Sequence, residues 1–176
     1  RGLGDVYKRQ VVDKIYKPYD NLVLAVTLKA DGSTDKAVLG SLTEAIKAQS
    51  GVAEEWNRLK EIFVNPDLQM ISFTITEKGY ALKNAEGNFF PFIQADIDNG
   101  PDKAGSAMAV VCALLWERFQ AGKYPLSVVS MDNCSHNGEK LQNSIVTMAK
   151  EWEKKGFVSA EFVDYLCDEK QVAFPW

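Results

Sequence analysis

From residue 52 onward, short runs of β-forming residues alternate with regular helical stretches, and this alternation limits the possible folds more than any other feature of the chain. Val52, Trp56, Leu59 and Phe63 recur at i, i+4, i+7 and i+11, one face of a helix that Asn65-Pro66 ends. Met70–Thr76 (MISFTIT) reads as a strand. Pro101-Asp102 opens a second helical stretch, in which Met108, Val111, Cys112, Leu115 and Phe119 share a face and Ala121-Gly122 close it. Leu126–Ser130 (LSVVS) is short and β-branched, the pattern of a strand buried on both faces. Leu141, Ile145, Met148, Ala149 and Trp152 then align along a helix over Glu139–Lys154, with Gly156 as its stop. Ala160–Cys167 makes a shorter helix, and Gln171–Phe174 begins another strand. Strands joined by crossover helices lie parallel, so the pattern predicts an α/β fold: a mostly parallel open sheet flanked by helices.

The first part of the chain departs from that rhythm. Val11–Tyr16 reads as the tail of a helix stopped at Lys17-Pro18, because proline disfavours helix at the residue before it. Asn21–Ala30, the turn Asp31-Gly32 and Lys36–Leu42 form a β-hairpin excursion from the one sheet. No internal repeat or interdomain linker interrupts residues 11–176. Arg1–Gln10 (RGLGDVYKRQ) has no periodicity and no apolar core, so it is no signal peptide, and it reads as translated adapter sequence outside the fold. With no initiating methionine and a final apolar run Val172–Trp176, the chain reads as a piece severed at both ends.

Composition narrows the function classes. The chain has 46% hydrophobic and 25% charged residues and a net charge of −4, with no basic run, which argues against a nucleic-acid partner. Its longest uncharged apolar stretch, Ala104–Trp116, is too short to span a bilayer, so no membrane partner is expected. Cys112, Cys134 and Cys167 are odd in number, lack CxxC spacing and accompany the single His136, so no metal site is expected. Reduced thiols fit a cytoplasmic location.

In open α/β sheets ligands bind beyond the carboxyl ends of the strands, near the switch point. Two polar loops meet that condition, Thr76–Tyr80 after one strand and Ser130–Gly138 after another. Asn133, at a strand terminus, could donate to a carbonyl oxygen or to the alkoxide that develops there, or it could be tied to its own turn backbone. Glu77 and Lys78 are either polar handles on a bound cofactor or a solvated pair at a turn. Asp132 could orient its loop or cap the following helix. Cys134 and His136 could be a nucleophile and base, but no GxSxG pattern surrounds them and Asp132 disfavours a thiolate. Trp56, Trp116 and Trp152 read as core or domain-contact residues. Neither GxGxxG nor GxxxxGK[ST] occurs.

At Ser72–Tyr80 (SFTITEKGY) and Ser130–Asn133 (SMDN) the chain resembles the long-chain mannitol dehydrogenase and fructuronate reductase family. Lys17–Asp20, Leu39–Ser41, Asn137-Gly138 and Phe174-Pro175 extend the likeness in order along residues 11–176. The resemblance implies an incomplete Rossmann-like domain, the N-terminal NAD(P)-binding part of a metal-independent oxidoreductase. Its implied substrates are a keto sugar acid or ketose and the corresponding alcohol: fructuronate and mannonate first, mannitol and fructose or tagaturonate and altronate next. It implies that Asn133 is catalytic, contributing to an oxyanion-stabilising pair, and that Thr76, Glu77, Lys78 and Asn133 border bound NAD or NADP. The family's catalytic lysine lies in a C-terminal domain with no counterpart here, so a polypeptide of these 176 residues alone is expected to be inactive. Met131 stands where a cysteine is common in the family, and Cys134-Ser135-His136 replaces a loop that usually contains proline. The competing readings are a non-enzymatic α/β module binding a small ligand or protein and, behind it, a hydrolase using Cys134 and His136.

Overall fold

The computed structural model describes residues 11–175; the expectations for Arg1–Gln10 and for Trp176 lie outside them. The described residues fall into two compact units, divided between Lys47 and Ala48.

In the first unit a π-helical turn, Val12–Tyr16, runs into a 3-10 turn, Lys17–Tyr19, and does not stop at Lys17-Pro18. Proline's fixed φ suits the first turn of a helix, and the lost N–H is one that would have no partner there. The stop comes later, where Asp20 and Asn21 adopt left-handed φ of 52° and 60°. These residue types tolerate that region. Strands β1 (Val23–Leu28) and β2 (Thr34–Leu39) pair antiparallel, with Leu28 opposite Thr34 and Val23 opposite Leu39. Gly32, at φ 83°, supplies the left-handed residue that closes the loop, and the Asp31 carboxylate accepts from the backbone N–H and hydroxyl of Ser33. The return strand therefore starts two residues earlier than expected and ends at Leu39. The hairpin is also a sheet of its own rather than an excursion from the parallel one.

In the second unit, β3 (Met70–Phe73), β4 (Leu126–Ser130) and β5 (Val172–Ala173) form a parallel sheet in that spatial order. Its order is sequential, so the described strands contain no switch point. The helices are α1 (Ala53–Val64), α2 (Pro91–Asn99), α3 (Ala107–Gly122), α4 (Asn137–Lys154) and α5 (Ala160–Cys167). Helix α3 is the centre of the core: every residue from Met108 to Leu115 is buried, not only the stripe its spacing marks. Such all-round burial fits a helix packed against α1, α4 and α5 together. Strand β4 buries Leu126, Val128 and Ser130 and leaves Ser127 and Val129 half-buried, so only one of its faces is fully enclosed. Trp56 and Trp152 are buried, while Trp116 is half-buried in an aromatic cluster with Phe119 and Phe162.

Helix α2 has no counterpart in the sequence reading. Its buried face carries Ile93 and Ile97 but also Asp96, whose carboxylate accepts from Gly105 N–H (2.8 Å) and Ser106 N–H (2.9 Å) just before α3. The Trp152 indole N–H donates to the Asp96 carbonyl at 2.9 Å. An acid on the core face disguises the apolar stripe, but here the acid is satisfied by backbone donors.

Opposite the carboxyl ends of β3 and β4, Arg118 is wholly buried. Its five N–H donors all reach backbone carbonyls: Nε to Tyr124 (2.9 Å), one terminal nitrogen to Phe63 (2.6 Å) and Asn65 (2.8 Å), the other to Leu68 (2.8 Å) and Pro125 (2.9 Å). The guanidinium thus ties the end of α1 and the approach to β3 to the approach to β4.

Candidate active site

Phe73 pairs with Ser130 at the last rung of the parallel ladder, so the chains leaving β3 and β4 depart side by side from carboxyl ends. Met131 N–H still donates to the Phe73 carbonyl at 2.8 Å. Beyond that rung β3 ends, three residues before the expected Thr76. The reason is local: Ile75 N–H donates to the Asp132 carboxylate at 2.8 Å instead of continuing a strand ladder.

Asp132 therefore orients its loop and does not cap the helix. The same carboxylate oxygen accepts a hydrogen bond from the Tyr80 hydroxyl. Tyr80 is buried, and its hydroxyl also lies 2.8 Å from Ser130 Oγ. A carboxylate only accepts, so the phenol's single proton goes to Asp132 and the serine hydroxyl donates to the phenol oxygen. Ser130 Oγ in turn accepts Asp132 N–H at 3.4 Å. Burial, reinforced by the Asp132 hydrogen bond, pushes the Tyr80 phenol up to about 12. The Asn137 amide closes the loop from the other side, donating to the carbonyls of Ser130 (3.1 Å) and Asp132 (3.0 Å). Cys134 N–H also donates to the Asp132 carbonyl, at 3.0 Å. The peptide group entering Asn133 is thus fixed from several directions.

The residues singled out from the sequence lie around this framework. Asn133 is exposed, and among the described residues its side-chain amide makes no hydrogen bond, so it is not the amide that ties down the turn; Asn137 is. Thr76, Glu77 and Lys78 are exposed on the neighbouring turn, where Glu77–Gly79 form a 3-10 helix and Gly79 N–H donates to the Thr76 carbonyl at 2.6 Å. The Glu77 carboxylate pairs with the Lys140 ammonium from the first turn of α4, and this partner raises the Lys140 pKa. The Ser144 hydroxyl, one turn further along α4, lies 2.6 Å from the Tyr80 carbonyl. The two loops are therefore joined by contacts of Asp132, Met131 and Lys140.

Sequence reasoning passed over Tyr80, Ser130, Asn137 and Lys140. For Ser130 and Asn137 the available signal was their place in a strand-end loop, together with the polar character of Ser130 at the end of an apolar strand. Cys134 packs half-buried against the core, while the exposed His136 holds Nδ1 3.5 Å from the Glu139 carboxylate. Burial pushes the Cys112 thiol well up, and its sulfur faces the Ile145 carbonyl. A concavity of about 260 Å³ lined by Gln69, Pro125, Leu126, Ser127, Glu169 and Lys170 lies at the amino end of β4, away from both loops. Among the described residues no cluster of three or more His, Cys, Asp or Glu could hold a metal ion, and no helix is long and apolar enough to cross a membrane.

No protein-family model matches the chain. Relatives do: the D-mannonate oxidoreductase of Thermotoga maritima is 49% identical over 172 residues, which is 98% of this chain and 31% of that protein. The chain belongs to the mannonate oxidoreductase and mannitol dehydrogenase family. Within it, a mannitol 2-dehydrogenase of Pyrenophora tritici-repentis is 30% identical over 137 residues, 76% of this chain and 23% of that protein. Among solved structures, the Pseudomonas fluorescens mannitol 2-dehydrogenase, determined with NAD and D-mannitol, superposes with a TM-score of 0.74 at 27% identity over 96% of this chain and 32% of that one. A D-sorbitol dehydrogenase at 24% identity shares the fold, with a TM-score of 0.75. The chain spans 23% to 32% of the length of these family members.

Proposed function

We propose that residues 11–176 are part of the N-terminal NAD(P)-binding domain of an oxidoreductase that interconverts a keto sugar acid or ketose and its alcohol, with fructuronate and mannonate the first substrates to test. The 49% identity to a mannonate oxidoreductase, above the 30% to a mannitol 2-dehydrogenase, supports that order. The single observation that carries the reading is the exposed Asn133 amide, held on a braced turn at the carboxyl end of β4 beside the Thr76–Lys78 turn of β3.

The donor set fits a nicotinamide nucleotide. An uncharged amide, a hydroxyl, an ammonium and a carboxylate can match a carboxamide and ribose hydroxyls. When bound, the nucleotide supplies or receives the hydride. Asn133 donates its amide N–H toward the substrate oxygen, where negative charge develops during carbonyl reduction. Because the turn is already fixed, this donor needs no reorganisation during the reaction. Thr76 and Lys78 offer a hydroxyl and an ammonium to the bound nucleotide, and Glu77, oriented by Lys140, offers an acceptor to hydroxyl groups. In the full-length protein, Asn133→Ala is expected to lower kcat for fructuronate reduction by about one to three decades while the KM for the nucleotide moves little. Steady-state kinetics on the purified variant check this, and an unaltered kcat would remove Asn133 from catalysis.

A further inference from the structure

The Tyr80 hydroxyl has no direct access to a bound substrate, since the residue is buried and both its polar contacts are inside the protein. Yet it occupies a place where side chains of the two candidate loops meet. Asp132 takes Ile75 N–H from the first loop with the same oxygen that takes the Tyr80 proton, and the carbonyl of Asp132 leads directly into Asn133. Ser130, at the end of β4, completes a closed ring of donors and acceptors around the phenol. Tyr80 itself is anchored at its backbone, with its carbonyl 2.6 Å from the Ser144 hydroxyl of α4 and its N–H on the Glu77 carbonyl at 3.3 Å.

We propose that Tyr80 is a positioning residue: through Asp132 and Ser130 it locks the 75–80 turn to the 130–134 turn and so fixes the Asn133 amide relative to Thr76–Lys78. This rests on the function proposed above for Asn133. The physical reason is that a carboxylate with two donors in hand is held in one orientation, whereas with the phenol removed it keeps only Ile75 N–H and can turn toward solvent. A displacement of the amide by a fraction of an ångström is enough to weaken a donor aimed at a developing charge. Removing the Tyr80 hydroxyl leaves the aromatic carbons in place, so Tyr80→Phe separates the clasp from the packing.

The test uses the full-length protein and three variants, Tyr80→Phe, Asn133→Ala and the double substitution. Tyr80→Phe is expected to lower kcat about 10- to 100-fold with the nucleotide KM within about threefold. In the Asn133→Ala background the same change is expected to lower kcat less than twofold further, because the amide it positions is gone. In the nucleotide-free protein, hydrogen exchange at Ile75 N–H is expected to speed up in Tyr80→Phe more than at Met131 N–H, whose carbonyl partner is untouched. If Tyr80→Phe proves poorly folded, Ser130→Ala opens the same ring from its other side and is read in the same way. A loss in Asn133→Ala with an unchanged Tyr80→Phe would overturn the positioning role alone, as would equal losses in both backgrounds; an unchanged Asn133→Ala would overturn the function on which it rests.

Discussion

The parallel sheet is tied at both ends by buried polar side chains, and the two ends use them differently. At the amino ends of β3 and β4, Arg118 directs all five of its donors to backbone carbonyls and presents nothing to solvent. At the carboxyl ends, Tyr80, Ser130, Asp132 and Asn137 satisfy one another and the backbone, and on that frame stand the exposed side chains of Asn133, Thr76 and Lys78. The concavity at the amino end is bordered by this saturated region. A cavity alone therefore says less about function than the presence of unsatisfied donors on a rigid support. The comparison also separates two kinds of buried polar group: one that closes the fold, and one that closes the fold beneath exposed polar side chains.

The largest effect should come from the amino end. Replacing Arg118 by Met takes a donor from five backbone carbonyls, of which Tyr124 keeps the Tyr165 hydroxyl and Asn65 keeps Leu68 N–H, and is expected to cost about 3–5 kcal/mol of stability, a large part of what a domain has. Arg118→Lys, with three donors instead of five and no planar fork, should fall between. Urea unfolding of the full-length protein measures both. A loss below about 1 kcal/mol for Arg118→Met would mean that water or relaxed backbone replaces the guanidinium, which would break the contrast between the two ends.

How far the sequence reveals these two ends depends on how local the cause is. Helix α1 is legible because Trp56, Leu59 and Phe63 mark one face within a dozen residues, and Leu126–Ser130 and Ala160–Cys167 have the limits that their composition sets. Helix α2 is hidden because its core face includes Asp96, whose backbone partners Gly105 and Ser106 become visible only in three dimensions. The strand over Met70–Thr76 is shortened by Asp132, a residue 57 positions away, and no propensity of Thr74 or Ile75 records that. Asn133, Thr76, Glu77 and Lys78 could be singled out because they are polar residues at strand ends. Tyr80 could not, since its role exists only when residues 50 and 52 positions further along close over it. The choice between the two roles open to Asp132 was settled by the helix start: α4 begins at Asn137 with His136 at its cap, too far along for Asp132 to serve there.

A second effect, intermediate in size, sharpens the contrast through pH. The Tyr80 phenol is pushed up to about 12 in the folded protein, whereas a tyrosine in the unfolded chain ionises near its usual 10. Between these values the folded state holds a proton that the unfolded state has lost, so stability is whole below pH 10 and declines as pH rises toward 12. Tyr80→Phe has no such proton. The difference in urea midpoint between the parent protein and Tyr80→Phe is therefore expected to shrink from pH 9 to pH 11. A constant difference would show that the phenol ionises alike in both states, and the ring at the carboxyl end would then be open to water.

The smallest effect concerns the rim of the carboxyl end, where the Glu77–Lys140 pair lies outside the buried ring. Lys140 and Glu77 are both substantially exposed, with side chains 38% and 65% accessible. An exposed pair gains little Coulomb energy against water and salt and costs two long side chains their freedom. Lys140→Met is accordingly expected to leave the urea midpoint of the full-length protein unchanged, and raising the salt to screen the pair should leave it unchanged too. What the pair can do is hold the Glu77 carboxylate toward α4, so the substitution should show instead in the nucleotide KM, by about two- to fivefold, with kcat nearly unchanged. A stability loss approaching that of Arg118→Met would place this exposed pair among the supports of the fold, and the division between a closed amino end and a carboxyl end with free tips would no longer hold.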